Sequence, residues 1–230
     1  MSTQTVINAD CLEYMKTLPD KSFDLVLTDP PYGIGIADWD NERPPDSLWD
    51  SLFRVLNGNG SLYYWGNIKQ AQWILNNAER VGFILRSRLN WWFATGQEQK
   101  TNYRQDVEDC WFFTKSTDNT FNILLEPYED KNNYGRYEKT GKAIGTVIRE
   151  SRISPNHPDA MEHETQKPLE IFKKLISVST KEADTILDPF LGSGTTLVAA
   201  KQLNRNAVGI EISEKYCEIA KQRLSQCILL

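Results

Sequence analysis

The chain has no apolar run that approaches the length of a membrane span, and its start lacks the basic-then-apolar layout of a secretion signal. Membrane embedding and export are therefore not expected, and a cytoplasmic location is. The four cysteines, Cys11, Cys110, Cys217 and Cys227, form no C-x-x-C pair. Neither a zinc ribbon nor a disulfide framework is indicated, and no metal site is expected. Basic excess is also missing. The net charge of −5 excludes a basic tail or an all-over cationic surface, so a nucleic-acid partner would have to be met by a local positive patch. No repeat or low-complexity tract interrupts the 230 residues, a length that suits one large α/β domain with a modest insertion. Aromatics, by contrast, are frequent. Seven tryptophans is a high count, and some are expected to line a site rather than fill a core.

Hydrophobic patterning predicts strands over 5–9, 23–29, 61–65, 82–93, 107–115, 184–188 and 207–211. Helices are predicted over 11–17, 46–56, 69–80, 168–179, 195–203 and 213–225, with a turn at Asn57-Gly58-Asn59-Gly60. Strands that alternate with helices imply an α/β fold, a doubly wound and mostly parallel sheet. Between about 116 and 160 the periodicity fades and turn formers dominate. The expected organisation is 1–115, an inserted region 116–160, and 161–230.

Asp29-Pro30-Pro31-Tyr32 follows the apolar run Phe23-Asp24-Leu25-Val26-Leu27-Thr28, so it sits where a buried strand ends. Two prolines have no N–H and hold the backbone extended. One carboxylate and neighbouring carbonyls then face outward as acceptors with no donor beside them, and Tyr32 adds a flat face. Such a pocket suits a planar ring that bears an NH₂ group.

A second signal is Asp188-Pro189-Phe190-Leu191-Gly192-Ser193-Gly194-Thr195, a strand that runs into a glycine turn and then a helix. The next strand ends in Val208-Gly209-Ile210-Glu211, where a carboxylate can hold ribose hydroxyls. The three-glycine dinucleotide fingerprint and the Walker lysine are both missing. That combination suits an adenosine cofactor without phosphates, with S-adenosylmethionine the leading candidate.

These motifs together resemble the β group of amino DNA methyltransferases, the family that methylates adenine N6 or cytosine N4. In that group the catalytic tetrapeptide comes first, an irregular region second and the cofactor motif last, as here. The resemblance implies a Rossmann-like S-adenosylmethionine-dependent methyltransferase fold with a small inserted target-recognition region at 116–160. It assigns Asp29, Pro30 and Tyr32 to catalysis. It assigns Asp10 (in Asn8-Ala9-Asp10), Asp29, Asp188, Phe190, Gly192, Ser193, Gly194, Thr195 and Glu211 to the cofactor. Thr165 and Lys167, in a segment that resembles H-x-T-Q-K-P, are placed at the cofactor's methionine end. Arg104, Glu108 and Lys115 resemble another family segment with no role attached here.

The implied partner is double-stranded DNA with its target base flipped out, adenine rather than cytosine because Asp heads the tetrapeptide. Phosphate contacts are expected from 131–152, where six cations face two acids, with Arg136, Lys139 and Lys142 as candidates. A second basic stretch, 80–104, has five cations against Glu98. Trp39 is a candidate for a loop that closes over the site. The resemblance also implies a tendency to form homodimers and leaves a restriction endonuclease partner open. Rival readings are the same chemistry on cytosine N4, methylation of RNA or protein amines, and a silent DNA-binding module.

Overall fold

Residues 2–35, 40–97, 100–127, 141–154 and 166–226 are described by a computed structural model. In chain order the elements begin with β1 (Gln4–Asn8), α1 (Cys11–Thr17), β2 (Phe23–Thr28), α2 (Ser47–Val55) and β3 (Leu56–Gly66). A 3-10 turn (Ile68–Gln70) leads into α3 (Ala71–Val81), β4 (Ile84–Gln97) and β5 (Gln105–Thr114). Three short strands follow, β6 (Leu125–Glu126), β7 (Lys142–Ala143) and β8 (Val147–Arg149). The last part is α4 (Leu169–Ser179), β9 (Thr185–Asp188), α5 (Thr195–Gln202), β10 (Asn206–Glu211) and α6 (Glu214–Gln226). None of the described helices is long and apolar enough to cross a membrane.

Eight strands form one sheet in the order β1-β10-β9-β2-β3-β5-β4-β8. Of these, β5 runs against its neighbours β3 and β4, and the other pairings are parallel. The central strands read as continuous apolar runs because helices cover both faces. Leu25 and Leu27 pack into one layer with Tyr63, Trp65, Phe172 and Leu197. Val26, between them in sequence, packs into the opposite layer with Leu62, Tyr64, Trp49 and Ile74. The side-chain period of two divides the core this way.

From β9 the chain moves through α5 to β10 on one side, and from β2 it moves to β3 on the other. The strand order therefore reverses between β9 and β2. A crevice outside the carboxyl ends of the strands is expected at such a point, and Asp188 and Asp29 stand on its two banks.

The expected doubly wound fold is the one observed, with two local differences. The Asn57–Gly60 turn lies inside β3, where pairing with β2 jumps from Phe23 opposite Leu56 to Leu25 opposite Ser61. Asn57 Oδ1 accepts the Asn59 N–H there, so the turn chemistry makes a bulge and the strand continues through it. The irregular stretch contributes β8 to the edge of the main sheet, parallel to β4, with Ile148 buried. Four tryptophans, Trp49, Trp65, Trp91 and Trp111, are core residues. Trp39, the proposed loop residue, lies outside the described residues.

Candidate active site

The site begins with the end of β2. Asp29 follows its last residue, and Pro30 is buried behind it. The Tyr32 hydroxyl donates to Asp29 Oδ1 at 2.7 Å. Lys167 Nζ donates to Asp29 Oδ2 at 2.6 Å and lies 3.1 Å from Glu108 Oε2 on β5. Each Asp29 oxygen thus accepts one bond and keeps a lone pair for a further donor.

Lys167 is only 5 % exposed. Its ammonium lies 5.3 Å from the centre of the Trp65 ring and 5.8 Å from that of Tyr32. Burial alone would lower the Lys167 ammonium. The carboxylates of Asp29 and Glu108 outweigh it and hold the group above its usual value. Burial, with the same two carboxylates, pushes the Tyr32 phenol well up, so Tyr32 remains a donor.

The backbone after the prolines is held by Asp40, which is 1 % exposed. Its Oδ1 accepts from the N–H groups of Tyr32 and Gly33, and its Oδ2 from that of Ile34 at 3.2 Å. The Tyr32 carbonyl accepts from Gln70 Nε2 at 2.9 Å. Sequence reasoning missed both Asp40 and Gln70.

On the other bank, β9 ends at Asp188. Its Oδ1 accepts the Phe190 N–H at 3.1 Å and its Oδ2 accepts the Thr196 hydroxyl. Burial pushes this carboxyl up to about 7. The Thr196 and Phe190 hydrogen bonds oppose the shift, and the charges of Asp29 and Glu211 add to it. The glycine turn follows, with Gly192 at φ 53° and Gly194 at φ 86°. A Cβ on Gly194 would lie 2.8 Å from that of Ala220 on α6, so no other residue fits this close approach.

Glu211, at the end of β10, spans the turn: Oε2 accepts the Gly192 N–H at 2.8 Å and Oε1 the Ser213 N–H at 2.9 Å. Asp10 caps α1 by accepting the Glu13 N–H at 2.9 Å. The Ala9 N–H donates to the Glu211 carbonyl at 3.0 Å, which brings the ends of β1 and β10 together.

Two assignments change character. Ser193 and Thr195 are buried, and their hydroxyls meet Arg223 Nη1 at 3.2 and 3.1 Å. Both hydroxyls, and the Ser193 carbonyl at 2.8 Å, are thus engaged by Arg223. Lys167 meets Asp29 directly, although the sequence suggests only a cofactor contact. Lys142 lies on β7, half-buried, while Thr165, Arg136 and Lys139 lie outside the described residues. Arg152 faces Glu108 at 3.5 Å and lies over the Phe93 ring at 3.8 Å.

Asp10, Asp29, Asp188 and Glu211 all lie at this end of the sheet. Carboxylates hold hydroxyls and attract a positive centre, and they repel phosphate. S-adenosylmethionine, with two ribose hydroxyls, a sulfonium charge and no phosphate, fits that set.

Asp188 gives a pH test. An ordinary carboxyl ionises near pH ~4, and this one ionises in the fold near 7. In that window the unfolded chain has lost a proton that the fold retains, so Asp188 makes stability fall as pH rises. Asp188→Asn can still accept from Phe190 and can donate to Thr196. Its unfolding free energy relative to wild type should therefore rise between about pH 4 and 7, by on the order of 2–4 kcal/mol. Denaturant unfolding at both pH values checks this. A difference that does not change with pH would contradict it.

A DNA methylase family model for the N6/N4 type matches residues 23–222. The Type II methyltransferase M2.LlaDCHI of Lactococcus lactis subsp. cremoris is 32 % identical over 96 % of this chain and 89 % of its own. The DNA adenine methyltransferase YhdJ of Escherichia coli (strain K12) is 30 % identical over 96 % and 82 %. Among solved structures, the M1.HpyAVI–SAM complex superposes with a TM-score of 0.68 at 25 % identity, covering 96 % of this chain and all of that one. The cytosine-N4-specific PvuII DNA methyltransferase gives a TM-score of 0.76 at 18 % identity over 97 % of this chain and 86 % of its own, a likeness of fold. By these matches, the chain belongs to the N6-adenine/N4-cytosine family of S-adenosylmethionine-dependent DNA methyltransferases.

Proposed function

We propose that the chain methylates the N6 amine of adenine in double-stranded DNA, on a base turned out of the helix into the Asp29 pocket. The observation that carries this is the Asp29 carboxylate, held at both oxygens at the end of β2 beside two prolines that have no N–H. The adenine activity in the name of the E. coli relative supports the choice of base.

The exocyclic amine is a poor nucleophile because its lone pair is delocalised into the ring. Asp29 and the Pro30 carbonyl accept its two hydrogens, draw the nitrogen toward tetrahedral geometry and free the lone pair. When bound, S-adenosylmethionine supplies an electrophilic methyl group on a sulfonium sulfur. Glu211 and Asp10 would hold its adenosine, with Gly192, Phe190 and Gly194 shaping the wall. Asp29 would take the proton that the amine releases. The share of the protein is mostly placement and fixed charge. In a duplex the amine is paired, so the base must leave the stack, and Tyr32 offers it a ring face.

DNA contacts are assigned to 131–152, with Arg136, Lys139 and Lys142, inside a target-recognition region 116–160. Residues 1–115 form the catalytic part and 161–230 the cofactor part of one domain. In the rival stretch, Arg80, Arg88 and Arg104 face Asp50, Asp109 and Asp106 at 2.9, 3.7 and 3.0 Å, which offsets its apparent surplus.

Mass spectrometry of nucleosides from duplex DNA incubated with purified protein and cofactor tests the reading. N6-methyladenine is expected. N4-methylcytosine alone would move the activity to the other base of the family.

A further inference from the structure

Asp29 stands among other acids. Glu108 on β5 holds the same lysine, and the Asp188 carboxyl on β9 feels the charge of Asp29, while the buried Cys110 thiol and Tyr32 phenol are pushed up and stay neutral. The cation in contact is Lys167, 2.6 Å from Oδ2. Glu108 holds that ammonium from the other side at 3.1 Å, and Arg152 in turn faces Glu108 Oε1. Tyr32 on Oδ1 and Lys167 on Oδ2 also lock the rotation of the carboxylate.

We propose that Lys167 is a positioning residue of the methyl transfer, fixed by Glu108 so that its ammonium keeps Asp29 charged and aimed at the amine. It acts through Asp29 and not on the cofactor. The inference rests on the role given to Asp29 above. A buried ion pair could serve the fold alone, so the test must read chemistry.

The experiment measures methyl transfer to DNA, at saturating cofactor and DNA, for wild type, K167M, K167R and E108Q across pH. Calorimetry gives the cofactor Kd of each. K167M should lose ~10–100-fold in kcat near neutral pH, with a cofactor Kd within about threefold of wild type. Without the cation, charging Asp29 among carboxylates becomes harder. The fall of rate on acidification should therefore begin at higher pH. The ratio of rates at pH about 9 and about 6 should exceed that of wild type by ~10-fold or more.

K167R, which keeps the charge, should restore the wild-type acid limb and part of the rate. E108Q removes a negative neighbour and should move the limb the other way, with a smaller loss of rate. That arm carries the test if K167M does not fold. Acid limbs that stay in place in K167M and E108Q overturn the inference. So does a K167M protein with weakened cofactor binding and full kcat, since Lys167 is then a cofactor contact. Wild-type protein that transfers no methyl group to DNA would instead overturn the function proposed above, and this inference with it.

Discussion

Asp29→Ala should reduce methyl transfer to DNA by at least ~10²-fold, the scale for one preorganised electrostatic group. The carboxylate accepts amine hydrogens most strongly as the nitrogen becomes tetrahedral, so its loss falls on the transition state. The fold should survive. Lys167 keeps Glu108 at 3.1 Å and is not left without a counter-charge, and Asp29 lies at a strand end rather than within the core. Calorimetry should still detect cofactor binding to the variant. Turnover close to that of wild type would remove Asp29 from the chemistry.

Glu211→Ala should show the opposite division, with cofactor affinity lost and the rate largely recovered at saturating cofactor. The proposed contact with two ribose hydroxyls is worth about 1.5–3 kcal/mol, a rise in Kd of roughly 10- to 150-fold. The structure adds a second route to the same outcome. Glu211 ties the Gly192 and Ser213 N–H groups together, so the glycine turn loosens when the carboxylate is removed. Glu211→Gln separates the two effects, because its amide can still accept one of those N–H groups. Kd values that rise in the order wild type, Gln, Ala are expected. Unchanged affinity in Ala would rule out both routes and leave Glu211 a plain strand-end carboxylate.

The central strands were readable because burial on both faces leaves unbroken apolar runs, as in Leu25–Leu27. The strand-end acids Asp29, Asp188 and Glu211 were readable because each follows such a run. Lys167 could be placed at a helix start, but its partner Asp29 is 138 residues away, a contact that no local pattern encodes. Asp40 looks like any acid of a Gly- and Pro-rich loop, although it is buried under three backbone N–H groups. The edge strand β8 is three residues long with a single buried side chain, Ile148, too little for a periodicity. Charge counting over 80–104 missed neighbours for a related reason. Asp50, Asp109 and Asp106, which face the arginines, lie outside that window.

The most direct test of the central claim compares nucleosides from the DNA of cells that express wild type or the Asp29→Ala variant at equal levels. N6-methyladenine should appear with wild type and stay at background with the variant. Equal methylation by both proteins would contradict the assignment of Asp29 as the group that activates the amine.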